Sequence, residues 1–164
     1  MSIYIPRKKF LSLTLLGTAG LLVKPAKVMA QQQKPDPLNP ELVKEFVIKG
    51  HGDLPRVKEM LAQTPGLLNA CWDWGGGDFE TAIEGAGHMG NRAIAEYLLE
   101  QGARLNIFCA AMLGKLDIVK SILASNPALK NSKGPHGLQL IHHATKGGEQ
   151  AKLVLDYLKE VGAA

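Results

Sequence analysis

One phrase recurs in this sequence: Ala-x-x-x-Gly, two or three polar residues, then apolar residues at helical spacing. The first copy runs Ala86-Gly87-His88-Met89-Gly90-Asn91 into Ile94, Ala95, Tyr97, Leu98 and Leu99. The second runs Ala110-Ala111-Met112-Leu113-Gly114-Lys115 into Ile118, Val119, Ile122 and Leu123. Each copy describes a short helix, a glycine-bearing turn and a longer helix running back. A pair this thin cannot bury its own apolar face, so copies must stack on one another. Stacked helical hairpins mostly bind through their surface, which makes recognition rather than catalysis the expected role.

The net charge of +4 misleads. Arg7, Lys8, Lys9, Lys24 and Lys27 all lie in the first thirty residues, which hold no acid. Beyond them 14 basic residues face 15 acidic ones, a balance that offers no basic footprint for nucleic acid. The same thirty residues read as an export leader. Arg7-Lys8-Lys9 precedes the apolar run Phe10–Val23, and small residues close the segment at Val28-Met29-Ala30, placing cleavage after Ala30. The run has 14 residues, short of the roughly 20 that span a bilayer. Arg7-Lys8-Lys9-Phe10-Leu11 is similar to a twin-arginine motif with lysine at the second arginine, so both the general secretory and the twin-arginine routes stay open. Residues 31–40, with three glutamines and with Pro35, Pro37 and Pro40, have almost nothing to bury and read as a disordered spacer. The folded domain is expected over 41–164.

Four hairpins are predicted there. The first pairs Glu41–Lys49 with Leu54–Ala62, capped by Asn39 and Asp53. The turn Thr64-Pro65-Gly66-Leu67-Leu68-Asn69 reappears as Asn126-Pro127-Ala128-Leu129-Lys130-Asn131. The second hairpin opens on Thr81-x-x-Glu84, a capping box, and Gly102 ends its longer helix. The third spans about Asn106 to Ala124. The fourth pairs Leu138–Lys146 with Glu149–Glu160.

These residues resemble the ankyrin-repeat family. Thr81, Ile83, Ala86 and Gly90 match the first half of its motif, and Gly102-Ala103-Arg104-Leu105-Asn106 matches its end. Ala110, Ala111, Gly114, Leu116, Ile118 and Val119 match again, as do Ile141, His142, Ala144 and Gly148. The resemblance implies an all-α solenoid of four stacked helical hairpins, with β-hairpin fingers between repeats. The turn glycines Gly52, Gly90, Gly114 and Gly148 are 38, 24 and 34 residues apart, against a family period of about 33. One finger is therefore expected to be deleted, before Phe108 and Cys109. Its neighbour, Ala70 to Glu80, is expected to be enlarged.

The enlarged finger holds both tryptophans and Phe79 around Gly75, Gly76 and Gly77. Aromatic residues on a projecting loop suit a binding hot spot; equally, Trp72 or Trp74 can fold back into the gap left by the missing finger. The resemblance places His88-Met89 and Met112-Leu113 near the concave edge, where they would extend an apolar groove unless they pack against an adjoining loop. The partner-binding candidates are thus Trp72, Asp73, Trp74, Asp78, Phe79, His88, Met89, Arg104, Met112 and Leu113.

Other chemistries find less support. His142 and His143 are adjacent and diverge on a helix, while His51, His88 and His136 fall on or near different turns, so no metal site is expected. His142 matches the family histidine that bonds within its own turn. Asp73, Asp78, Glu80 and Glu84 fit no calcium loop. Cys71 and Cys109 are the only thiols, with Cys109 expected in the core. No catalytic motif or phosphate loop emerges, and no cofactor is expected. The chain thus reads as an exported, non-enzymatic module, periplasmic or secreted, that docks a protein partner on its concave and finger face. It would meet no nucleic acid, and a membrane only through an uncleaved leader. The alternative is a small-ligand, metal or redox accessory protein of an exported enzyme.

Overall fold

The computed structural model describes residues 35–163. The leader, its cleavage point and residues 31–34 of the spacer lie outside the described residues. Within them the chain is mostly helical, with one small antiparallel β-hairpin. No described helix is long and apolar enough to cross a membrane.

Helix α1 (Pro40–Gly50) starts where the sequence predicts. The Asn39 side chain accepts from the Glu41 amide, and Pro40 takes the first turn, where its missing N–H costs nothing. Asp53 likewise caps α2 (Leu54–Gln63) through the Arg56 amide. The two matching turns both form five-residue 3-10 segments, Pro65–Asn69 and Pro127–Asn131. Helix α3 (Ala82–Met89) carries the Thr81–Glu84 capping box, and α4 (Arg92–Glu100) ends before Gly102, whose φ of 93° only glycine adopts freely. Asn106 caps α5 (Ile107–Met112), which returns through α6 (Leu116–Ser125). Helices α7 (Leu140–Lys146) and α8 (Lys152–Glu160) complete the series.

The first helices of the pairs form a row, α1 against α3, α3 against α5, and α5 against α7, each backed by the second helix of its own pair. Phe46, Val57, Met60, Ile94 and Leu98 fill the core of the first half; Val119, Leu140, Val154 and Leu158 fill that of the second. Ile118, counted in the apolar spacing of the second copy, is exposed. The expected finger appears as strands β1 (Cys71–Asp73) and β2 (Phe79–Thr81), with Trp72 opposite Glu80. No strand separates Gly102 from Asn106; the chain passes straight into α5. Because α5 is only six residues long, α7 packs on α3 as well as on α5. That contact decides what the site can be, since it carries the segment before α7 to the finger.

The third and fourth hairpins meet backbone to backbone. A Cβ at Gly147 would overlap the Met112 carbonyl oxygen and the Ala151 side chain. Gly147→Ala should therefore destabilise the fold by about 1–3 kcal/mol, the usual cost of overpacking, read from urea unfolding. Gly52→Ala is the matched comparison: nothing lies within 4 Å of its Cβ position, and a change within about 0.5 kcal/mol is expected.

Candidate metal centre

Four side chains from four separate segments converge beside the finger: His51, Glu80, His88 and His136, each with one ligand atom within 4.8 Å of all the others. The backbone accounts for each placement. His51 ends α1, and its ring folds back so that Nδ1 donates to the Val47 carbonyl oxygen at 2.9 Å. Gly85 makes room for it, because a Cβ there would stand 2.8 Å from the imidazole. Glu80 is the inward-facing middle residue of β2 and has no exposed surface. His88 lies on the last turn of α3 and points back toward the start of that helix, as helical side chains do. His136 sits in a 3-10 turn, Pro135–Gly137, directly before α7.

Asp78 at the finger tip grips His136 twice. Its Oδ1 accepts the His136 amide at 2.8 Å and its Oδ2 accepts Nδ1 at 3.0 Å. The grip holds an unusual backbone: His136, with φ 58°, is the only non-glycine at positive φ among the described residues. That conformation costs about 1–2 kcal/mol, comparable with two partly exposed hydrogen bonds at about 1 kcal/mol each.

Because a carbonyl oxygen and a carboxylate can only accept, the Nδ1 atoms of His51 and His136 carry the ring protons. Their Nε2 lone pairs then face inward. An imidazole that donates its outer N–H to a carbonyl or carboxylate and aims the other nitrogen at a common point is the usual form of a metal ligand. His51 Nε2 and His136 Nε2 each stand 3.5 Å from Glu80 Oε2. His88 Nε2 is 3.0 Å from His51 Nε2 and 2.9 Å from Glu80 Oε1. Four donors around an ion with metal–nitrogen bonds of 2.0–2.1 Å would stand about 3.3 Å apart; the four spacings just given lie on either side of that value, within a cluster whose ligand atoms reach up to 4.8 Å apart.

The cluster is short of positive charge and of donors. Trp74 Nε1 donates to Glu80 Oε2 at 2.8 Å. Glu80 Oε1 is buried and accepts no aligned hydrogen bond, despite its distance to His88. Burial is the largest influence on this carboxyl and opposes ionisation. The ring nitrogens of His88 and Trp74 beside it, and the pull of His51 and His88 whenever these carry a proton, together outweigh it, and the group titrates below its ordinary value. A buried carboxylate needs a cation beside it; the His51 lone pair already faces the His88 Nε2 at 3.0 Å, so it is the Glu80 carboxylate that calls for an ion.

The ten partner-binding candidates divide sharply. Trp72 is half-buried against the core with Lys44 over its ring, so it folds back. Trp74 is 37% exposed, but its indole N–H is committed to Glu80. Asp73 caps the finger turn through the amides of Gly75 and Gly77. Asp78 orients His136, and His88 is a candidate ligand. Met112 and Leu113 are buried in the core, which corrects the expectation of a groove lined by them: the turn that carries them is covered by the Gly147 segment. Phe79, Met89 and Arg104 do lie at the surface. His142 also departs from expectation. Its Nε2 bonds the His88 carbonyl oxygen, while His143 makes the local bond, to Gln139.

Sequence reasoning missed the gathering of His51, Glu80, His88 and His136 and expected no metal site. The overlooked signal is that turns of successive stacked hairpins lie side by side, so histidines on different turns meet. Compared with known proteins, the chain matches no family model and no curated protein, so the residues themselves carry the assignment.

Proposed function

We propose that this chain binds one divalent transition-metal ion through His51, Glu80, His88 and His136, and acts as an exported metal-binding accessory protein built on an ankyrin-like stack of four hairpins. The observation that carries the reading is the buried Glu80 carboxylate facing three imidazole Nε2 atoms. Imidazole and carboxylate together suit zinc, and after it copper, iron or nickel. Four protein ligands would complete a tetrahedral ion and leave it no open position, the habit of structural rather than catalytic zinc. That supports a binding role without a reaction of its own. A redox role finds less support: burial, then the neighbouring carboxylates, raise the Cys71 thiol, and burial pushes Cys109 up to about 12, whereas a reactive thiol needs a lowered value. Export rests on the basic, apolar and small-residue order of the leader. The exposed Phe79 and Met89, 59% and 52% accessible, flank the centre and favour a second reading, in which the loaded face docks a protein partner.

The test is direct. Protein stripped by a chelator and dialysed should take up one zinc per chain, by calorimetry and by elemental analysis after gel filtration. Cobalt in its place should give the intense visible bands of a tetrahedral ion. If no zinc or cobalt is retained, the cluster is a proton-linked histidine–carboxylate network and the reading fails.

A further inference from the structure

The four ligands differ greatly in how they are held. His51 caps the end of one helix, His88 belongs to another, and Glu80 to a paired strand. His136 stands apart on a turn whose hydrogen bonds are local: Gly134 N–H to Leu138 O, Gly137 N–H to Gly134 O, Leu138 N–H to Pro135 O. Pro135 is buried and Gly134 lies over the Phe108 ring, so the start of this turn is seated. Its tip reaches the rest of the molecule through Asp78 and through the His136 ring. His136 is also the most exposed ligand, its side chain 35% accessible against 25% for His51, 10% for His88 and none for Glu80. The strained backbone and the Asp78 grip nearly offset each other, which leaves the seated position of the tip without surplus.

We propose that the ion closes a clasp: bound at His51, Glu80 and His88, it captures His136 and locks the Lys133–Gln139 turn onto the finger tip, with Asp78 presenting the ring. This rests on the metal-binding reading above. Loading would then rigidify two loops, residues 73–78 and 133–139, and leave the helices unchanged. The face of the molecule that carries the exposed Phe79 becomes ordered only in the loaded protein. His136, as the outermost ligand, is the one through which the ion enters and leaves.

Hydrogen exchange read by mass spectrometry, on full-length protein with and without zinc, tests this. Linkage with free zinc about 100-fold above its dissociation constant allows up to about 100-fold slower exchange in a segment ordered only by the ion. We expect at least about tenfold slowing over 134–138, together with slower tryptic cleavage after the exposed Lys133, while peptides from α1 and α4 change little. His136→Asn separates causes, because asparagine tolerates positive φ and keeps the backbone bond to Asp78 but supplies no ligand. In that variant zinc should bind more weakly and release faster, and exchange at 134–138 should no longer respond to it. Zinc uptake with unchanged exchange at 134–138 in the wild type overturns the clasp and leaves the metal site standing. Absence of uptake overturns the metal reading itself.

Discussion

Replacing Glu80 with glutamine should abolish tight metal binding and leave the fold intact. The side chain keeps its length and shape, so β2 and the core beneath it need not move. The amide carbonyl can still accept the Trp74 N–H at the position of Oε2. The amide NH2, placed where Oε1 now finds no aligned donor, can donate to one of the inward imidazole lone pairs. What disappears is the negative charge and the anionic ligand. Changes to the partners that merely orient a metal ligand typically cost 10–100-fold in affinity, and loss of a ligand should exceed that, so we expect weakening of more than about 100-fold. Zinc titration by calorimetry gives the affinity, and thermal unfolding of the metal-free proteins shows whether the fold persists. Wild-type affinity in Glu80→Gln would remove the carboxylate from the site and with it the main argument for an ion there. A metal-free variant more stable than metal-free wild type would agree with the argument, since it relieves an ill-partnered buried carboxylate.

The difference between what the sequence announces and what it hides follows the range of the forces involved. Asn39, Asp53, Thr81 with Glu84, and Asn106 satisfy amides two or three residues away, so their helix starts can be read from neighbouring letters. The apolar spacing of Val57, Met60 and Leu61 is equally local. The centre is assembled otherwise. His51 meets His88 over 37 residues, and Asp78 meets His136 over 58; no window of sequence contains both members of either pair. The first meeting depends on α1 packing against α3 and the second on α7 packing against α3, past a six-residue α5 that no strand directly precedes. The spacing of the turn glycines displayed that omission, but its consequence is tertiary. Trp74 shows the same limit. A tryptophan beside three glycines suggests an exposed anchor, and only the inward turn of Glu80 reveals what the indole N–H holds.

Acid should weaken this fold through His143, and by a predictable amount. The side chain is 1% exposed, its Nδ1 donates to the Gln139 carbonyl oxygen at 2.9 Å, and its Nε2 is buried without a partner. Burial, the main influence, lowers its value from 6.5 to about 4 despite that hydrogen bond, which acts the other way; the charges of His142 and His88 add to the lowering. The native ring is therefore neutral across a range in which the unfolded chain already binds a proton. Stability falls wherever the unfolded state holds more protons, so the loss begins as pH drops below about 6.5, proceeds through the window down to about 4, and levels off once the native ring protonates as well. At about 1.4 kcal/mol per tenfold change in proton affinity the whole effect is roughly 3 kcal/mol. His143→Phe keeps a flat ring beside Phe108, with which His143 now packs at 5.1 Å between centroids, and removes both the titration and the orphaned nitrogen. Urea unfolding of metal-free protein at pH 7 and at pH 4 should show the variant losing less stability than the wild type, by roughly 3 kcal/mol. Taking the difference between the two proteins cancels whatever the His51, His88 and His136 cluster contributes to each. Equal losses in the two would mean that the Nε2 of His143 reaches a proton in the native state, and that the acid response arises from the cluster instead.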